Sequence, residues 1–175
     1  SALFIHANPY GRIFNVHYES TVKYQEPQMP KQEKMIVSFY KRPQLFHTPE
    51  HNDDCIALFG EMSFSLMVFS MCSVMWQKVT STVPEMYQVC KIAKNCGYMM
   101  AFGKRNWKTP VNIGGYSGEV SFEALGVALT IYCIQTLREE SAVKSETLLQ
   151  GLHAYAAKSP EYEQIKKVVA ACSEK

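Results

Sequence analysis

The chain has 175 residues, 47% of them apolar and 12% aromatic, and its 18 Lys and Arg against 16 Asp and Glu give a net charge of +2. That composition fits one domain, or one domain with an N-terminal extension, and excludes a disordered chain, because there is enough apolar side chain to build a core. It also excludes a protein that imitates DNA, which needs a dense field of surface carboxylates.

Residues 2–18 read as a β-hairpin, in which ALFIHA and RIFNVHY flank Asn8-Pro9-Tyr10-Gly11. Asn at the first position, Pro at the second and Gly at the fourth are the preferences of a type I turn. From Glu19 to Lys34 the chain is polar and punctuated by Pro27 and Pro30. Residues 1–34 therefore read as a hairpin plus a polar strap, and 35–175 as the main domain. A short strand, Met35–Tyr40, opens that domain, and a loop followed by a short helix occupies Lys41 to Gly60. Thr48 is placed to cap that helix, Pro49 to take its first position, and Glu50, Asp53 and Asp54 to face the positive end of its dipole.

The next helix spans about Ser63–Thr80 and stops before Pro84. Within it, Met62 to Trp76 carries no charge. As a helix that run is about 22 Å long, short of the ~30 Å hydrocarbon core of a bilayer. Ser63, Ser65, Ser70 and Ser73 also argue against insertion, so it reads as a buried helix, apolar on nearly every face, with Trp76 and Phe69 in the core. Three strand-like runs follow, Met86–Ala93, Tyr98–Phe102 and Trp107–Ile113, joined at Asn95-Cys96-Gly97 and at Gly103-Lys104-Arg105-Asn106. Turns of that length and composition predict a consecutive antiparallel meander of three or more strands, with Pro110 at an edge or where no ladder donor is needed.

Gly114 to Val120 then links the meander to a helix capped by Ser121, with Glu123 in its first turn, running through Leu137. Phe122, Leu129 and Tyr132 are expected to be buried, and Gly126 in mid-helix signals close approach of another backbone. Two more helices are expected, at about Glu146–Ala157 and from Ser159-Pro160-Glu161 to near Cys172. The fold class is α+β: a small antiparallel meander covered by four or five helices.

Candidate chemistry is sparse. Six cysteines are scattered with no CxxC, as expected of reduced thiols in a cytosolic protein. His47, His51, Asp53, Asp54 and Cys55 are metal-ligand types, but Pro49 breaks the helical spacing two histidines would need, so no metal is expected. Ser117 lies in GYSGE, whose Gly118 follows directly instead of two residues later, so it is not a nucleophile elbow. From Met86 to Gly118 there are five bases (Lys91, Lys94, Lys104, Arg105, Lys108), no acid, and interleaved Tyr98, Trp107 and Tyr116. Such a surface suits phosphates or an acidic protein face, while the plainer reading is that these charges protect turns and sheet edges.

The run from Gly97 to Leu137 resembles the centre of the ArdB/KlcA family of antirestriction proteins. Gly97-Tyr98-Met99-Met100 matches their aromatic strand after a Gly turn. Gly115 to Gly126, GYSGEVSFEALG, is similar to their G-x-x-G-E-(V/L)-S-x-(D/E)-A-x-G run into a helix, and LLQGLHAYAAKSPEYEQIKKVV to their final helix pair. The similarity covers about Met35 to Cys172, and residues 1–34 have no counterpart in it.

The resemblance implies a phage or mobile-element protein of the bacterial cytoplasm. It would relieve host restriction, chiefly type I, by contact with a host defence protein such as a restriction–modification complex. It implies no catalytic residues, no cofactor, no metal and no membrane. The expected working surface is Lys104, Arg105, Trp107, Lys108, Tyr116, Ser117 and Glu119. The reading from a different class is a nucleic-acid-binding module that uses the basic strands.

Overall fold

The computed structural model describes residues 39–47, 59, 62–140 and 142–174. All of them fall in the unit Met35–Lys175. The expected hairpin and strap at 1–34, and the helix expected across 49–58, lie outside the described residues.

Among the described residues there are two antiparallel sheets and four helices. The first sheet has the order β1-β2-β3, with β1 at Gln44–His47, β2 at Tyr87–Ala93 and β3 at Cys96–Ala101. Helix α1 (Met62–Thr80) lies between β1 and β2 in the chain. The second sheet is a hairpin of β4 (Lys108–Ile113) and β5 (Tyr116–Ser121). Helix α2 (Phe122–Thr136), a 3-10 turn at Arg138–Glu140, α3 (Ala142–Ala156) and α4 (Tyr162–Ser173) complete the chain. The α+β class is as expected.

The hub is α2. Its residues Ala124 to Ile131, Cys133 and Ile134 are all buried, which is the pattern of a helix wrapped on every side. One side meets β3 so closely that there is no room for a side chain at position 126. A Cβ on Gly126 would lie 2.7 Å from the Met99 carbonyl oxygen and 2.8 Å from Met100 Cβ. One turn on, the buried hydroxyl of Thr130 accepts the Met99 N–H at 3.0 Å. That bond satisfies a backbone donor that a strand edge would otherwise bury unpaired. β3 is buried along its whole length as a result.

Ser121 caps α2 as the sequence predicts, its Oγ accepting the Ala124 N–H at 3.0 Å. The two preceding amides are taken by carbonyls from a loop: Phe122 N–H donates to Trp107 O at 2.8 Å and Glu123 N–H to Arg105 O at 3.0 Å. The first turn of α2 is thus capped entirely by protein groups.

Five expectations are corrected. The three consecutive runs do not form one meander: β2 and β3 pair, but Trp107–Ile113 leaves that sheet and pairs with residues expected to be a linker. Gly114-Gly115 is a hairpin turn, with Gly114 at φ +52°, the positive φ that primed turns demand at their first position. Tyr116–Ser121 is its second strand. The strand that completes the first sheet is instead Gln44–His47, read from sequence as loop, and it pairs with β2 in the register Gln44–Lys91 to His47–Gln88.

The last helix begins at Tyr162 after Glu161, and Ser159 closes a turn ahead of it by accepting the Glu161 N–H. Finally, α1 is not buried on nearly every face. Trp76 and Leu129 are fully buried, Phe69, Phe122 and Tyr132 only partly, and Leu66, Met67 and Val74 face solvent. Pro110 is accommodated as expected. In a two-residue hairpin the closing pair is hydrogen-bonded and pairs alternate, so position 110, opposite Glu119, needs no ladder donor.

The α2–β3 contact makes a direct prediction. Gly126→Ala gains about 1 kcal/mol of helix propensity, but it must prise helix from strand at about 3 kcal/mol. Denaturant titration should read a net loss of about 2 kcal/mol, the opposite of the ordinary effect of Gly→Ala in a helix.

Candidate functional site

The segment that leaves β3 is held by polar groups aimed at its backbone. The side-chain amide of Gln88, itself buried, donates to Gly103 O at 2.8 Å, and Trp107 N–H turns back to Lys104 O at 3.0 Å. Gly103 is required beneath the indole, because a Cβ there would stand 2.6 Å from Trp107 Cε3. Pinned in this way, Trp107 stacks edge to face on Phe122 at 5.8 Å between centroids. Phe122 meets Trp76 at 5.4 Å, and Trp76 meets Tyr87 at 6.4 Å, each pair within 10° of perpendicular. Edge-to-face geometry is what aromatic quadrupoles favour.

Trp107, Phe122 and Trp76 of this ladder line one wall of a groove of about 470 Å³. The other wall comes from the α1–β2 connection, with Val83, Pro84, Glu85 and Met86, and from Phe102 at the end of β3. Val83 is 76% exposed, and Met86, Phe102 and Trp107 are each about half exposed. Four large apolar side chains open to solvent around one concavity, with Thr82, Glu85, Lys108 and Thr109 as polar neighbours, are the composition of a contact surface.

Below the groove a polar cluster ties the loop to the core. One oxygen of Glu123, Oε1, accepts from Tyr98 Oη at 2.9 Å, from Arg105 Nη1 at 3.2 Å and from Tyr155 Oη. Burial, then the neighbouring ionisable groups, push Tyr98 far above its ordinary pKa. Burial and the bond to Glu123 raise Tyr155. Both phenols therefore remain donors. Partial burial opposes the charge on Arg105, but the Glu123 carboxylate outweighs it and raises its pKa.

The residues singled out from sequence are divided by this geometry. Trp107 and Lys108 line the groove. Arg105 is committed to Glu123, and Lys108 Nζ donates to Glu161 Oε1 at 2.8 Å. Lys104 is exposed in the loop. Ser117 and Glu119 lie on the exposed face of the hairpin with Lys108 and Pro110. Tyr116 points to the other face, where Val111 and Val120 are buried. Lys91 and Lys94 stand toward the β2–β3 turn, and Lys104 beyond the opposite end of β3, so the five bases form no single strip.

Val83, Met86 and Phe102 were missed. Met86 and Phe102 read from sequence as the ends of strands, but the strands stop at Tyr87 and Ala101, and Val83 stands in a turn-like segment, its large apolar side chain its one signal.

Ser117 occupies a strand, not an elbow into a helix. Cys72, Cys90, Cys96, Cys133 and Cys172 are all buried. Burial pushes the Cys90 and Cys96 thiols up to about 12 and Cys172 to about 11, the behaviour of core hydrophobes and not of nucleophiles. His47 lies in β1, while His51, Asp53, Asp54 and Cys55 fall outside the described residues. No group of three or more metal-ligating side chains occurs among the described residues. No helix there is long and apolar enough to cross a membrane.

Glu161 supplies a pH prediction. Partial burial disfavours its charge, but the hydrogen bonds from Lys108 and from Ser121 N–H, the latter at 2.9 Å, prevail and hold its carboxyl below the usual range. A depressed folded pKa contributes stability that is present above the unfolded value, about 4.3, and is lost as pH falls through the folded one. Thermal midpoints measured from pH 6 down to pH 3, taken as a range of about three units around that value, should fall less steeply for Glu161→Gln than for the parent.

In sequence, no protein-family model and no curated protein matches the chain. Among solved structures it is similar to the KlcA and ArdB proteins, described as having a novel fold and antirestriction activity against type I DNA restriction systems in vivo but not in vitro. The superposition has a TM-score of 0.56 at 18% identity and covers 73% of this chain and 94% of that one. Nearly the whole of the matched chain is therefore traced by this one, and the protein has the KlcA/ArdB fold.

Proposed function

We propose that the protein is a non-enzymatic antirestriction factor of a phage or mobile element, acting in the bacterial cytoplasm. In this reading it relieves type I restriction by contacting a host defence protein, of the restriction–modification complex or a related system, through the Phe102–Trp107 groove. The observation that carries this reading is the shared fold with proteins that have that activity, spanning 94% of their chain. The near-neutral charge supports a route other than DNA mimicry.

The groove supports protein as the partner. Its exposed residues include Phe102, Trp107 and Met86, and aromatic and Met side chains are enriched at protein interfaces. The nucleic-acid reading draws less support, because Arg105 and Lys108 are each paired with a carboxylate. The remaining lysines are spread over opposite ends of β3, and neutralising phosphates requires several converging cations.

KlcA and ArdB act in vivo but not in vitro, so the test is made in cells. Plating of unmodified phage on a type I restricting host should rise at least about tenfold when the gene is expressed, and should not change on a non-restricting host. Phe102→Ser and Val83→Glu should each remove most of that relief, as a contact weakened about thirtyfold by loss of a 2 kcal/mol hot spot would, with the thermal midpoint unchanged. Tight binding of the purified protein to arbitrary duplex DNA, weakening steeply with salt, would instead support the nucleic-acid reading.

A further inference from the structure

A second exposed apolar surface among the described residues lies on α1. Its core-facing side is Phe64, Val68, Cys72, Met75, Trp76 and Val79. On the outer side Leu66, Met67 and Val74 are 49%, 39% and 62% exposed. Together with Ser70, Met71 and Leu137 they line a shallow depression of about 490 Å³ that holds no charged residue. Single exposed apolar residues are ordinary, but a continuous uncharged stripe of them on one helix is not.

We propose that this stripe is a homodimer interface in which α1 packs antiparallel against α1 of a second copy, with the twofold axis at Ser70. The stripe matches an antiparallel copy of itself. Leu66, Ser70 and Val74 form one ridge at intervals of four, and two such ridges lie nearly antiparallel across the axis. Leu66 and Val74, both apolar, stand four residues to either side of Ser70, and the exposed polar residues Ser63 and Gln77 seven to either side, while Met67 is matched by Ser73 at three. A twofold rotation therefore lays each Leu66 on the other copy's Val74, as an isologous contact requires. At the crossing point the side chain is a serine, small enough for the two helices to approach closely.

Charge at the rim agrees. Cys72 meets Leu129 and Trp76 meets Phe122, so α1 and α2 run antiparallel, and Leu137 borders the N-terminal half of α1. The turn that follows presents exposed Glu139, while its Arg138 is already paired with Glu146. The rotation carries the exposed Lys78 from the far end of the other α1 toward that acidic turn. Antiparallel helix dipoles add to the match. The stripe has six lining residues, far fewer than the roughly 20–30 a side of a standard interface, so a weak dimer is expected, with a Kd on the order of 10–100 µM.

Sedimentation equilibrium of the whole chain should show a monomer–dimer equilibrium in that range, and Val74→Arg should shift it to monomer without lowering the thermal midpoint. Site-directed cysteines test the axis itself. Oxidised Ser70→Cys should give a disulfide-linked dimer, because the two positions meet on the axis. Ser63→Cys should not, about 10 Å along the helix from it. The double variant Ser63→Cys/Gln77→Cys should link again. A parent that stays monomeric at concentrations about tenfold above that Kd, or Ser70→Cys that links no faster than Ser63→Cys, overturns the proposal. A monomer whose Val74→Arg variant melts earlier also overturns it, and would place a segment of the same chain over the stripe.

Discussion

The rest of the structure depends on how closely α2 lies against β3. An absent side chain at Gly126 and a buried hydroxyl at Thr130 together solve two problems. The first brings helix and strand backbones to within van der Waals distance. The second supplies the acceptor that the Met99 amide loses by being enclosed, and an unpaired amide there would cost about 1–3 kcal/mol. With that contact in place, β3 is covered on the side that β2 leaves open. A sheet of three short strands, weak by itself in water, becomes the floor of a core closed by α1, α3 and α4.

The groove inherits its shape from the same contact. The loop from Gly103 to Trp107 is not anchored by its own side chains alone. Its carbonyls cap the first two amides of α2, and the Arg105 side chain reaches the carboxylate in that helix's first turn. Trp107 is thus positioned by the N-terminus of the helix that organises the core, and its ring continues an aromatic ladder that runs through buried Trp76. This arrangement keeps large apolar side chains exposed without letting them collapse. A surface held open at the expense of apolar exposure is what a protein-binding site needs and what a merely stable domain avoids.

Much of this was legible in the sequence, and what was not has physical causes. Ser121 as a cap and Gly126 as a point of close approach are local signals with one meaning each, and both are found in the structure. The uncharged run after Glu123, with Leu129 expected in the core, marked a buried helix, and Leu129 is buried. Strand pairing was misread because short turns look alike: Gly103 to Asn106 has hairpin composition, but it is spent capping a helix. Gly114-Gly115 is the true hairpin turn and was absorbed into a Gly-rich linker. β1 escaped notice because Gln44–His47 is four residues long and its partner is more than forty residues away, a distance at which local pattern carries no information.

At the candidate site, the sequence pointed to Trp107 and Lys108 but read the bases as free charges. Pairing with Glu123 and Glu161 arises from tertiary contacts and cannot be seen in composition. Phe102, Val83 and Met86 converge on the groove from two separate connections, so no window of sequence contains the site. The outer face of α1 was hidden for the opposite reason. Apolar residues on all sides of a helix imply burial when the chain is considered alone, and the structure leaves one of those sides in water.

Native-state hydrogen exchange of the whole chain tests the central claim most directly. If α2 against β3 is the contact on which the rest depends, the Met99 amide and the mid-α2 amides exchange only through global unfolding, with the same denaturant dependence. A Met99 amide that exchanges by local opening while the helical core stays protected would contradict it.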